Sequence, residues 1–174
     1  MKIFSILFVV GQDRPGIVDD VTSALFESGA NLLDSRMATL GGCFSIMVLF
    51  SCQEETLTAV KTGIDKLKTL GFEISLHNAH DPEAVARHAE IPLKLEVVAM
   101  DHPGIVHKVV RVLRRHGVNI ESLNTQVNRA PLSGAPLFDL ILEAGVPVGQ
   151  SISKLKQELA TLADEMNLDL NFIR

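Results

Sequence analysis

Apolar residues run together from Ile3 to Val10, and Gly11-Gln12-Asp13-Arg14-Pro15 closes the run. A run of that length bounded by turn residues predicts a buried strand over Lys2 to Val10. From Pro15 to Ser28, Ile17, Val21 and Leu25 recur at helical spacing, with Asp13 placed as a cap and Gly29 as the stop. Asn31 to Leu40 and Cys43 to Ser51 predict a hairpin around Gly41-Gly42. Glu54 to Leu70 carries Leu57, Val60, Ile64 and Leu67 on one face, which predicts a second helix ended by Gly71, and Phe72 to His77 is the closing strand.

The pattern then begins again. Asp13-Arg14-Pro15-Gly16-Ile17-Val18 returns as Asp101-His102-Pro103-Gly104-Ile105-Val106, an offset of 88, and nine of the 19 positions from 13 to 31 are identical at that offset. Unrelated segments of average composition share roughly one. Later the register slips to 94, where Phe44-Ser45-Ile46 aligns with Phe138-Asp139-Leu140. The six extra residues, Ala130-Pro131-Leu132-Ser133-Gly134-Ala135, predict a longer hairpin loop. In the second copy a strand is expected from Pro92, a helix over Pro103 to His116, strands from Asn119 and Leu137, a helix over Ser151 to Met166, and a last strand.

Two copies of strand, helix, strand, strand, helix, strand specify an α+β fold of two tandem ferredoxin-like βαββαβ modules, each an antiparallel four-stranded sheet with both helices on one face. The expected boundaries are residues 1–79 and 92–174, with a polar linker at 80–91 that contains Pro82. Leu123, Thr125 and Val127 alternate with Ser122, Asn124, Gln126 and Asn128. Each sheet therefore has a mixed second face, and the copies are expected to pack on each other or side by side, with a homodimer as the assembly.

Composition narrows the function. Hydrophobic residues at 47% and charged ones at 21% exclude a disordered regulator. A net charge of -5, with no Trp and no Tyr, argues against direct nucleic-acid binding. Lys2 before an apolar run imitates a secretory signal, but no small-x-small site follows. No stretch approaches the roughly 20 apolar residues of a membrane span, so no membrane association and a cytoplasmic chain are expected. Cys43 and Cys52 lie on one predicted strand, roughly 30 Å apart by strand geometry, too far for a disulfide, and both are expected as buried thiols.

The repeated loop carries the candidate chemistry. A helix start offers unpaired N–H groups and a positive dipole end, which suit a carboxylate, and Gly16 and Gly104 permit close approach. Asn31 and Asn119 can donate to a carboxylate and accept from an ammonium. Together these groups suit an amino-acid zwitterion. Equally, Asp, Pro and Gly at a helix start are ordinary cap and turn residues.

The Asp-x-Pro-Gly-Ile turn, the Gly-x-Asn exit from the helix and the βαββαβ order resemble the ACT domain. Two such modules, with Asp34-Ser35-Arg36-Met37-Ala38-Thr39-Leu40-Gly41-Gly42-Cys43-Phe44-Ser45-Ile46-Met47, resemble the glycine cleavage system transcriptional repressor family. In the second copy Asp34-Ser35-Arg36 becomes Ser122-Leu123-Asn124, so any role of that charged pair belongs to the first module. The resemblance implies amino-acid sensing, of glycine or a similar ligand, at Gly16, Asn31, Gly104 and Asn119, and the repeated loop adds Asp13, Arg14, Ile17, Asp101, His102 and Ile105 as ligand-site candidates. It further implies transcriptional repression through a protein partner, a DNA-binding activator, with a regulatory subunit docked on a separate metabolic enzyme as the alternative.

The matching helices differ in sign. The first carries Asp19, Asp20 and Glu27, and the second His107, Lys108, Arg111, Arg114, Arg115 and His116. Lys108, Arg111 and Arg115 share a face, expected to bind an acidic protein partner or the acidic helix of another copy, where the plain alternative is a solvated surface. His77, His80, Asp81 and His88 lack the ligand spacing of a zinc site, and no nucleophile elbow or phosphate loop is visible. No metal, no cofactor and no enzymatic activity are expected, because two modules fill the 174 residues.

Overall fold

The structure is a computed structural model that describes residues 1–84, 89–131 and 133–173. His88 and Leu132, part of the expectations above, lie outside the described residues. The elements follow in the order β1 (Lys2–Gln12), α1 (Ile17–Phe26), β2 (Asn31–Leu40), β3 (Cys43–Gln53), α2 (Leu57–Thr69), β4 (Glu73–Ala79), β5 (Glu90–Met100), α3 (Ile105–Arg115), β6 (Asn119–Arg129), β7 (Pro136–Pro147), α4 (Ile152–Met166) and β8 (Asp169–Ile173). A short 3-10 turn, Glu54–Thr56, leads into α2. The chain divides into two compact units, β1 to β4 and β5 to β8.

Within each unit the strands form one antiparallel sheet, in the order β2-β3-β1-β4 and again β6-β7-β5-β8. Alternation decides what each face buries: Leu7 and Val9 on β1, with Ile46, Val48 and Phe50 on β3, meet Val21 and Leu25 of α1 and Ile64 of α2. Leu95 and Val97, with Leu140 and Leu142, meet Val109 and Leu113 of α3 and Leu155 and Leu159 of α4. Fully burying a Leu or Val contributes about 1.5–3 kcal/mol, so each unit has its own cohesive core.

The opposite sheet faces diverge. In the first unit Ile6, Phe8, Met47 and Leu49 share the outer face, whereas Lys94, Glu96 and Glu143 stand on that of the second. Lys94 Nζ lies 2.8 Å from Glu143, and this contact, with a bond from the Ser122 hydroxyl, holds the Glu143 carboxyl below its ordinary pKa.

Two local expectations change. Cys43 is exposed, because it opens β3 at the hairpin rim, and only Cys52 is buried; both are free thiols. The first helix starts at Ile17 rather than Pro15, with consequences for the loop before it.

Candidate ligand site at the repeated helix start

Each loop is pinned at both ends by backbone bonds. The Asp13 N–H donates to the Gly42 carbonyl at 3.0 Å and the Asp101 N–H to the Pro136 carbonyl at 3.1 Å, which fastens each loop to the neighbouring hairpin. The chain then turns through Pro-Gly. Gly16 (φ 90°, ψ -4°) and Gly104 (φ 99°, ψ -5°) hold the third position of a type II turn, a conformation that side chains resist. A Cβ on Gly104 would meet nothing within 4 Å, and one on Gly16 only Arg14 Nη1 at 3.9 Å. Both glycines therefore serve the backbone angle.

Gly16 and Gly104 are the N-caps, and their carbonyls accept the first helical bonds, from Asp20 N–H at 2.9 Å and Lys108 N–H at 3.0 Å. Neither helix start receives a side-chain cap, so the expected capping role of Asp13 is corrected: it precedes the N-cap by three residues and makes no cap hydrogen bond. The first N–H groups of α1 and α3 stay open to an anion. Ile17 and Ile105 can offer only those backbone groups, since their side chains are buried in the cores.

The two starts differ electrically. In the first unit Arg14 Nη2 bonds Asp20 Oδ2 at 2.6 Å, its Nη1 donates to the Pro15 carbonyl at 3.3 Å, and its guanidinium lies 5.4 Å from the Phe72 ring centroid. With Asp19 and Asp20 in the first turn, the positive end of α1 is already compensated. The first turn of α3 holds no acid. Beside it lies an open groove of about 450 Å³ lined by Met100, His102, Pro103, Lys108, Glu165 and Asn167. His102 Nδ1 lies 3.3 Å from the Pro103 carbonyl. The groove holds a cation, Lys108, and a carboxylate, Glu165, next to the loop that leads into the open start of α3, groups of the kinds that match the two ends of a zwitterion. Glu165 and Asn167 come from the end of α4, and the repeat pattern that marked the loop carried no sign of them.

Asn31 and Asn119 do not join these loops. They open β2 and β6 opposite Ser51 and Gly145, whereas β1 and β5 end opposite Cys43 and Leu137. Eight strand residues, about 26 Å, separate the two ends. A strand–helix–strand crossover returns the chain to the end where the first strand began, so no single module holds asparagine and loop together.

Of the basic face, Lys108 and Arg111 are exposed, while Arg115 is bonded to Glu158, which also lies 2.7 Å from His116 Nε2. His77 packs edge-on against Phe8 with ring centroids 5.5 Å apart. Among the described residues no group of three or more His, Cys, Asp and Glu could hold a metal ion, and no helix is long and apolar enough to cross a membrane.

Comparison with known proteins gives a consistent pattern. ACT-domain family models match residues 4–77 and 94–160, most of the chain. The glycine cleavage system transcriptional repressor of Escherichia coli (strain K12) is 24% identical over 166 residues, which cover 94% of this chain and 86% of that protein. A solved structure described as an unknown protein from Galdieria sulphuraria superposes with a TM-score of 0.80 at 30% identity, covering 99% of this chain and 98% of the other. A solved putative glycine cleavage system transcriptional repressor has a TM-score of 0.70 at 25% identity, covering 100% and 99%.

Proposed function

The chain belongs to the ACT-domain family, two of whose domains it carries in tandem, and we propose that it is a non-catalytic amino-acid sensor that represses transcription through a protein partner. The observation that carries the ligand half is the open start of α3, with no acid in its first turn and with Glu165 across the groove. The ligand carboxylate sits on the backbone N–H groups after Gly104 beside His102, and its ammonium faces Glu165. Glycine, or another small amino acid, is the ligand class. Asn31 and Asn119 reach a loop-bound ligand only from a neighbouring module. The first unit is the weaker receiver, since Asp20 and Arg14 occupy each other there.

Similarity to a transcriptional repressor along most of the chain supports the regulatory half. Indirect action is favoured over DNA contact by the net charge of -5, and the basic stripe on α3, without a helix-turn-helix pattern, offers little means to read bases. The full chain, tagged and purified from its own cells with and without added glycine, tests this. Retrieval of a DNA-binding regulator in a glycine-dependent manner is expected. Retrieval of a metabolic enzyme instead would favour a regulatory subunit and overturn the transcriptional reading.

A further inference from the structure

We infer that the basic helix α3 of one copy docks into the groove between α1 and α2 of a second copy, and that the reciprocal contact closes a two-fold dimer. This goes beyond the sensing role and does not rest on it. The groove encloses about 720 Å³. Its floor is low because α1 and α2 approach closely: a Cβ on Gly63 would lie 2.8 Å from the Ala24 carbonyl oxygen. Asp20, Glu27 and Glu55 line it, with Lys66 on the α2 side.

The repeat offset of 88 sets Asp19 against His107, Asp20 against Lys108 and Glu27 against Arg115. One helix surface thus occurs twice in the chain with its charge reversed at two positions, Asp20 to Lys108 and Glu27 to Arg115, and with Asp19 replaced by His107. Every copy carries both an acidic groove and a basic ridge, the condition for a contact that a two-fold axis can repeat. An antiparallel approach centred between Ala24 and Arg111 brings Glu27 to Lys108 and Asp20 to Arg115, because each pair is separated by the same seven residues, about 10.5 Å of helix. The small Ala24 then leaves room for Arg111. Antiparallel helices also place their dipoles favourably.

Asp20 and Arg115 already have partners inside their own modules, Arg14 and Glu158. Glu27 and Lys108 are exposed and form no ion pair among the described residues. That pair is therefore the one through which recognition is tested.

Sedimentation velocity on the full chain at low ionic strength should show a dimer that salt dissociates. Glu27→Lys and Lys108→Glu, each alone, should weaken association at least about tenfold, because like charges then meet at both contacts. An equimolar mixture of the two variants should recover the dimer, since each contact of the mixed species joins unlike charges again. Circular dichroism on both variants should match the wild type, as both residues are exposed. A monomeric wild type, single variants that keep the wild-type mass, or a mixture that stays monomeric would each overturn the inference.

Discussion

Replacing Gly104 by Ala isolates the backbone contribution of the repeated loop. The added methyl meets no atom within 4 Å, so the cost comes only from holding a side chain at φ 99°. Left-handed backbone costs an L-residue about 1–2 kcal/mol. The variant regains roughly 0.4–1 kcal/mol because alanine restricts the unfolded chain. A net loss of about 1 kcal/mol follows, and for a module of this size it should lower the melting temperature by roughly 4–8 °C. Urea unfolding followed by circular dichroism reads the change as a lower midpoint at unchanged slope, confined to the second unit. Gly104→Asn should fall between the two, since asparagine tolerates positive φ better than alanine does. An alanine variant as stable as the wild type would refute the reasoning.

Two other substitutions test separate parts of the molecule. Gly63→Ala should destabilise the first unit by about 1–3 kcal/mol in denaturant titration, because the carbonyl of Ala24 blocks the new methyl and the helices must part; the better helix propensity of alanine offsets only about 1 kcal/mol. Lys94→Gln should raise the Glu143 pKa toward the ordinary carboxylate value, read by NMR titration of the side-chain carboxyl, and an unmoved midpoint would exclude Lys94 as the cause. In the wild type the folded chain holds this carboxyl low, so the contact with Lys94 stabilises at neutral pH and is lost as acid titrates Glu143 through its folded pKa.

The fold was legible because the signals agreed at several levels. The duplicated hexamer gave two modules, and the spacing of Val21 and Leu25, or Val109 and Leu113, gave the helix faces that enter the cores. Places where the chain meets itself at a distance were not legible. Asp13 looked like a cap by type and position, yet Gly16 supplies the cap, because the turn demands glycine just where the helix begins. Asn31 follows Gly16 by only fifteen residues and still ends at the far edge of the sheet, a consequence of crossover topology that no local pattern encodes. The register shifts on β2, between Leu32 and Asp34, and on β6, between Ile120 and Ser122, recur at the repeat offset but carry no glycine or proline to announce them. Similarly, Arg14 and Asp20 show as two ordinary charges in sequence, and only the fold brings them to 2.6 Å at the start of α1.

Glycine titrated into the isotopically labelled full chain, observed through its backbone amide resonances, tests the sensing claim most directly. Saturable shifts are expected at Gly104, Ile105 and Val106 and around Glu165 to Asn167, with smaller changes at Gly16 and Ile17, and Glu165→Gln should weaken the binding. No saturable shift at millimolar concentration of glycine or of any other common amino acid would contradict it, as would shifts that leave the start of α3 untouched.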